Sequence, residues 1–253
     1  MSFSIKYSIL IKSTIISDKV DYDQINSIFK KMSISSKLQK LIESGVHLIG
    51  EIEIQTNASN ASFLLSHWQD APRAREPDFG GLETHHDPAA AREISTYAED
   101  GTYRFTKGQV NLKRGWVMVM VTAEQLRQAL DHFYPACLGL FLAEREGSLE
   151  VENLRDKLGR QTGMYRFARN ISDAGAQKLV QTVCGPAHQC AKRILWQIDD
   201  ATPLEDSDAS RFSGIPGDVP ESEAIPLLCR EECNHFVAEC RRVAKAEFEQ
   251  KAG

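Results

Sequence analysis

Four of the chain's six cysteines stand in two close pairs in its C-terminal third, Cys184 with Cys190 and Cys229 with Cys233. Between the pairs runs a stretch containing Pro203, Pro216, Pro220, Gly214 and Gly217, together with many acids. Such a stretch reads as a solvated loop, and a loop this long is uncommon inside a compact domain unless something ties its ends. Four thiolates gathered around one soft metal centre would supply that tie. The fold is therefore expected to bring both pairs to one place.

The compartment bears on whether those thiols ligate or cross-link. The first sixteen residues are apolar, but Lys6 and Lys12 interrupt them and no small-residue cleavage site follows, so they do not read as a signal peptide. No apolar run approaches the length of a membrane span. A cytoplasmic protein is the expectation, and there paired cysteines are metal ligands more often than disulfides. Charge excludes another class. The net charge is -5, and residues 199–223 alone carry -7, leaving +2 for the remainder. Neither value makes a basic nucleic-acid footprint, and no nucleic-acid or membrane partner is expected.

With 253 residues, 42% hydrophobic and 26% charged, the chain is long enough for two domains, each with its own core. Composition shifts near residue 60: all sixteen arginines follow it, while twelve of eighteen isoleucines precede it. The expected fold class is α+β, with a small N-terminal α+β unit over residues 1–81 and a mainly helical domain over 82–253. Ser4 to Ile16 reads as a strand, 22–43 as a helix, His47 to Gln55 as a strand, and Ala61 to Trp68 as its hairpin partner. Asp87-Pro88 marks a helix start. Thr122 and Gln125 form a capping-box pair before a helix that Pro135 stops. Further helices are expected over Ser148 to Leu158, Ser172 to Val183, Cys190 to Trp196 and Leu227 to Gln250.

On that reading Cys229 and Cys233 share one face of the last helix, and Cys184 and Cys190 flank a turn at Gly185-Pro186. The gaps within the pairs, five and three residues, fit neither the tight ferredoxin run nor both halves of an ordinary zinc site. Spacing alone leaves an iron-sulfur cluster, a structural zinc ion and unligated core thiols open. Cys137 lies in an apolar run and reads as core. Cys240 reads as packing beside Val237 and Ala244. His188 and His235 are possible substitutes for a thiolate, and His85-His86-Asp87 is a compact second candidate that a helix cap explains without metal. Trp116 reads as a packing anchor, and Trp196 as a possible shield for a cluster.

The succession Leu112-Lys-Arg-Gly-Trp116, Leu126 to Tyr134-Pro135, Arg160-Gln-Thr-Gly-Met-Tyr165, Cys184 to Trp196 and Cys229-Arg-Glu-Glu-Cys233 resembles the C-terminal iron-sulfur region of CbiX-like (sirohydrochlorin) cobaltochelatases. The resemblance covers residues 82 to 250, with the strand pair at 47–68 as part of an accompanying stabilising domain. It implies a [4Fe-4S] cluster bound through Cys184, Cys190, Cys229 and Cys233. It assigns no role to Cys137 or Cys240. That family's chelatase domain carries metal-binding histidines, whereas no histidine here precedes His47, so the chelatase domain is expected to be missing and no catalytic residue is assigned. The implied function is an accessory or redox module of tetrapyrrole or cobalamin metabolism, working with a separately encoded chelatase or another tetrapyrrole enzyme. A structural zinc-binding interaction module, with the same four cysteines as ligands, is the first alternative. A chelatase or cluster-dependent oxidoreductase is the second, for which the chain offers no phosphate loop, dinucleotide fingerprint or evident nucleophile and base.

Overall fold

The computed structural model describes residues 33–43, 47–57, 62–150, 152–184, 190–194, 196–197, 224–230 and 232–252. The expected strand at 4–16, the first part of the 22–43 helix, His188 and the acidic loop lie outside these residues. In chain order the principal elements begin with α1 (Ile34–Ile42), β1 (His47–Ile49), β2 (Ile52–Asn57), β3 (Ser62–His67), β4 (Glu83–His85), α2 (Ala90–Ile94), β5 (Trp116–Met120), α3 (Ala123–Phe133) and α4 (Cys137–Arg145). There follow β6 (Glu152–Asn153), α5 (Leu154–Gly159), a 3-10 helix Gly163–Asn170, and α6 (Asp173–Leu179) with its π-helical continuation Val180–Cys184. The chain then forms β7 (Arg193–Ile194), β8 (Trp196–Gln197), β9 (Ala224–Ile225), β10 (Leu228–Cys229) and α7 (Asn234–Ala252). The fold is α+β.

Six strands form one sheet in the order β4-β5-β3-β2-β1-β9. Its centre is an antiparallel meander, and its edge strands β4 and β9 pair parallel. The run expected as one strand over 47–55 is instead a hairpin, because Gly50 and Glu51 turn between Ile49 and Ile52. Gly50 takes φ 57°, a conformation that favours glycine at the first position of a two-residue turn. A Cβ there would also meet the Tyr134 hydroxyl at 2.7 Å. Glu51 fixes the turn from inside: its N–H donates to Tyr134 Oη at 3.1 Å, and its carboxylate accepts the Leu112 N–H at 3.0 Å.

Helices α1 and α3 cover this sheet and fill the first core. Ser33 caps α1 by accepting the Ser36 N–H at 3.2 Å, and Leu38 and Ile42 point inward. Thr122 accepts the Gln125 N–H while the Gln125 side chain accepts from Val121, so the expected cap forms. Leu126, Leu130 and Phe133 then meet Ile52, Ile54, Leu65 and Met118 from the strands. Trp116 is the packing anchor, stacked on Phe133 with ring centroids 5.1 Å apart. This core does not stop at residue 81. Strands β4 and β5 continue the sheet beyond that point, so the division expected between 81 and 82 does not coincide with a break in packing.

A second core gathers Leu154, Leu158, Ala168, Ile171, Leu179, Phe236, Val237, Cys240 and Ala244 from α5, the 3-10 helix, α6 and α7. Ser172 caps α6, accepting the Gly175 N–H at 3.0 Å. Two helical expectations fail nearby. Arg193–Ile194 and Trp196–Gln197 are strands, and α7 begins at Asn234, so the segment around Cys229 is strand and not helix. The reason is a long-range pairing. Strands β7 and β10 run parallel, with Leu228 against Arg193 and Cys229 against Ile194, and Leu227 and Leu228 are buried in the first core. Tertiary pairing overrides local helical preference here. The helix expected over Ser148 to Leu158 likewise starts only at Leu154, capped by Asn153.

Candidate metal centre

The two cores meet where the cysteines lie. Ala191 and Leu228 belong to the first core, while Cys184, Cys229 and Cys233 pack against the second. Each thiol arrives on a different device. Cys184 ends the π-helical turn that extends α6, Cys190 precedes β7, Cys229 closes β10, and Cys233 stands immediately before α7. All four are free thiols, partly buried, and line one cavity of about 340 Å³. The four residues proposed from sequence are therefore brought together, although the helical face expected to present Cys229 and Cys233 does not exist.

Cys233 caps the last helix. Its Sγ accepts the Phe236 N–H at 3.4 Å, and its carbonyl accepts the Val237 N–H at 3.0 Å. This is the arrangement in which a serine hydroxyl usually caps, with sulfur in place of oxygen. It also sets Cys233 at the positive end of the α7 dipole.

The Cys184 and Cys190 thiols resist ionisation. Burial pushes the Cys184 thiol well above its ordinary range, and the neighbouring sulfurs of Cys190, Cys229, Cys233 and Cys240 add to the effect. Burial also raises Cys190, opposed by the Lys192 N–H and the Lys192 charge. Several sulfurs in one poorly solvated place cannot all carry negative charge without a cation among them. A cationic metal group supplies that charge and ionises its ligands, which is how thiolate sites bind metal. Lys107 and Lys192 also line the cavity. The donor set thus fits a soft-metal group of net negative charge once its thiolates are counted.

Among the described residues, no group of three or more His, Cys, Asp or Glu is placed to hold a metal ion. The His85-His86-Asp87 stretch forms no such group either. Asp87 accepts the Ala89 N–H at 2.8 Å, and His85 lies 3.6 Å from Glu83. Cys137 and Cys240 are both buried in hydrophobic cores, and burial pushes each thiol up to about 12. Cys240 sits beside Val237 and Ala244. His235 does not face the thiols as a substitute ligand in any contact described; its ring stacks on Phe105 at 6.2 Å. The Trp196 side chain is outside the described set.

Several wall residues were not legible in the sequence. Phe105, Thr106, Lys107 and Gly108 line the cavity from the loop between α2 and β5. Glu232, also in the wall, accepts a hydrogen bond from Gln161 Nε2 at 3.0 Å, linking the Arg160 to Tyr165 stretch to the second cysteine pair. A single glycine and a single threonine in a polar loop carry no periodic signal. Only the three-dimensional approach of the loop to Cys190 marks them.

Comparisons with known proteins divide the chain in two. Residues 146–242 match a family model described as a 4Fe-4S iron-sulfur cluster binding domain, and all four paired cysteines fall within it. Residues 34–145 match the DR2241 stabilising domain. Among curated proteins none matches. Among solved structures, the crystal structure of DR2241 from Deinococcus radiodurans is similar at 23% identity and a TM-score of 0.65. It is described as a multi-domain protein with structural similarity to chelatases and two additional novel domains. The match covers 84% of this chain and 41% of that one, so this chain spans less than half of its relative's length. No helix among the described residues is long and apolar enough to cross a membrane. The chain is thus similar over residues 34–145 to a stabilising domain and over 146–242 to a 4Fe-4S cluster-binding domain, and the paired cysteines of the second lie where the two cores meet.

Proposed function

We propose that Cys184, Cys190, Cys229 and Cys233 ligate a [4Fe-4S] cluster, and that the protein serves as an accessory or redox module of a tetrapyrrole or cobalamin cobaltochelatase system. The observation that carries this reading is that four partly buried thiols line one cavity, inside the region matched by the cluster-binding family model. The match of residues 146–242 to a 4Fe-4S cluster binding domain favours a cluster over a single zinc ion at these thiols. When bound, such a cluster supplies a site that gains or loses one electron.

The chain's own residues hold and shield the group. The Cys233 sulfur is stabilised by the Phe236 N–H and the start of α7. The Lys192 N–H and charge favour the ionised form of Cys190. Phe236 and Pro135 restrict water at the wall. On this reading chelation itself falls to a chelatase partner, and the compartment is a reducing one in which thiols remain free. Anaerobic purification followed by iron, sulfide and zinc analysis tests the reading. Iron with acid-labile sulfide is expected; stoichiometric zinc without sulfide would overturn it.

A further inference from the structure

The cavity is not built by the cluster-binding region alone. Residues 105–108 of its wall come from the loop between α2 and β5, inside the stretch that matches the stabilising domain. This loop is fastened from below by Arg104, which is 2% exposed. Its guanidinium donates to the Ser95 carbonyl at 3.0 Å, to Asn111 Oδ1 at 3.1 Å, and to the carbonyls of Lys107 and Gln109. Lys107 Nζ adds a bond to Ser95 Oγ at 2.7 Å. A buried cation satisfied by several acceptors of one loop makes that loop rigid.

The rigid loop touches both cysteine pairs. The Gly108 carbonyl accepts the Ala191 N–H at 2.7 Å, and a Cβ on Gly108 would meet Cys190 Sγ at 2.9 Å and Lys192 Cγ at 3.0 Å. At the other pair, Phe105 stacks on His235, two residues beyond Cys233. Between these contacts stands Thr106, whose buried hydroxyl has no hydrogen-bond partner among the described residues although the residue lines the cavity. A buried donor without an acceptor is costly, and a sulfur of the bound group would relieve it.

We infer that this loop of the stabilising-type domain is a positioning element of the metallocentre: Gly108 seats Cys190, and the Thr106 hydroxyl donates a hydrogen bond to a cluster or cysteine sulfur. The donor half rests on the cluster reading of the site; the seating of Cys190 does not. Hydrogen bonds to cluster sulfurs set reduction potential, and their number is part of how proteins tune these groups. The loop therefore gives the sheet domain a hold on the redox behaviour of the helical one.

Two measurements test it. In the loaded protein, Thr106→Val keeps the shape and removes the donor. Its midpoint potential should fall by a tenfold change in the oxidised-to-reduced ratio, about 59 mV for a one-electron couple, with Thr106→Ser restoring it. In the metal-free protein, Gly108→Ala should raise the maleimide labelling rate of Cys190 relative to Cys229 severalfold, because the added methyl forces loop and thiol apart. Val121→Ala, an exposed apolar change outside the cavity wall, should leave that ratio unchanged. An unaltered potential in Thr106→Val with the cluster present overturns the donor role alone. Zinc in the wild-type protein overturns the cluster reading and the donor role with it, and the labelling ratio then decides the seating of Cys190. An unaltered ratio in Gly108→Ala overturns that seating whatever the metal.

Discussion

At the scale of single residues the site depends on sulfur doing two jobs. Cys233 is both a proposed ligand and the cap of α7, and two substitutions separate these roles. Cys233→Ser retains a cap acceptor, so it should lower iron and sulfide content while leaving the metal-free protein's stability within a few tenths of a kcal/mol of wild type. Cys233→Ala should lose the iron and also about 1 kcal/mol of metal-free stability, read by urea denaturation. Cys184→Ser, Cys190→Ser and Cys229→Ser should each lower cluster content, whereas Cys137→Ser should leave it intact, since Cys137 is buried in the first core with its Sγ 3.7 Å from the Pro226 carbonyl. The raised thiols also fix a pH dependence. Cys137, Cys184, Cys190 and Cys240 all hold their protons more tightly in the folded chain than in the unfolded one. Above the unfolded thiol value of about 8.5, the unfolded chain binds fewer protons, so the stability of the metal-free protein should fall as pH rises. For Cys137 and Cys240 the loss continues toward about 12. Denaturation of the metal-free protein at pH 7 and pH 10 checks the sign.

At the scale of elements, α7 holds the second core together from both ends. Its start carries Cys233, and near its end Glu247 clamps the cap of α6, accepting the Ser172 N–H at 2.9 Å and the Ser172 hydroxyl at 2.6 Å. Removing a partly buried charged acceptor from two donors costs about 1–3 kcal/mol. Glu247→Ala should therefore lower stability by that amount, with Glu247→Gln retaining part of it, as measured by urea denaturation at neutral pH. Elements of this kind were legible in the sequence where a local signal specified them. Thr122 with Gln125 marked a helix start, and Ala61 to Trp68 was legible as a strand returning after the run that ends at Gln55. The strands at Arg193–Ile194 and Leu228–Cys229 were not legible, because β7 and β10 exist only through pairing across some 35 positions of chain. Each is two residues long, too short for any periodicity to reveal.

At the scale of the molecule, the cysteine identities could be read from the sequence although the geometry that unites them could not. A helical face and a turn were expected to converge; the structure instead uses a π-helical turn, a strand end, a helix cap and a parallel pairing, all at the seam between two hydrophobic cores. The packing of the first core was likewise not legible in composition. The change in isoleucine and arginine usage near residue 60 is a property of composition, while the sheet runs on through β4 and β5 to residue 120. What the sequence could not show at all is the contribution of the sheet half to the site, since Arg104 and Gly108 acquire meaning only when the loop is folded against Cys190. The central claim is that the four-thiol cavity holds a [4Fe-4S] cluster. EPR spectroscopy of anaerobically purified, dithionite-reduced protein, with iron, sulfide and zinc counted on the same sample, tests it most directly. A rhombic signal of a reduced cubane with iron and sulfide in equal amounts is the predicted result, and a silent spectrum with one zinc per chain and no sulfide would contradict it.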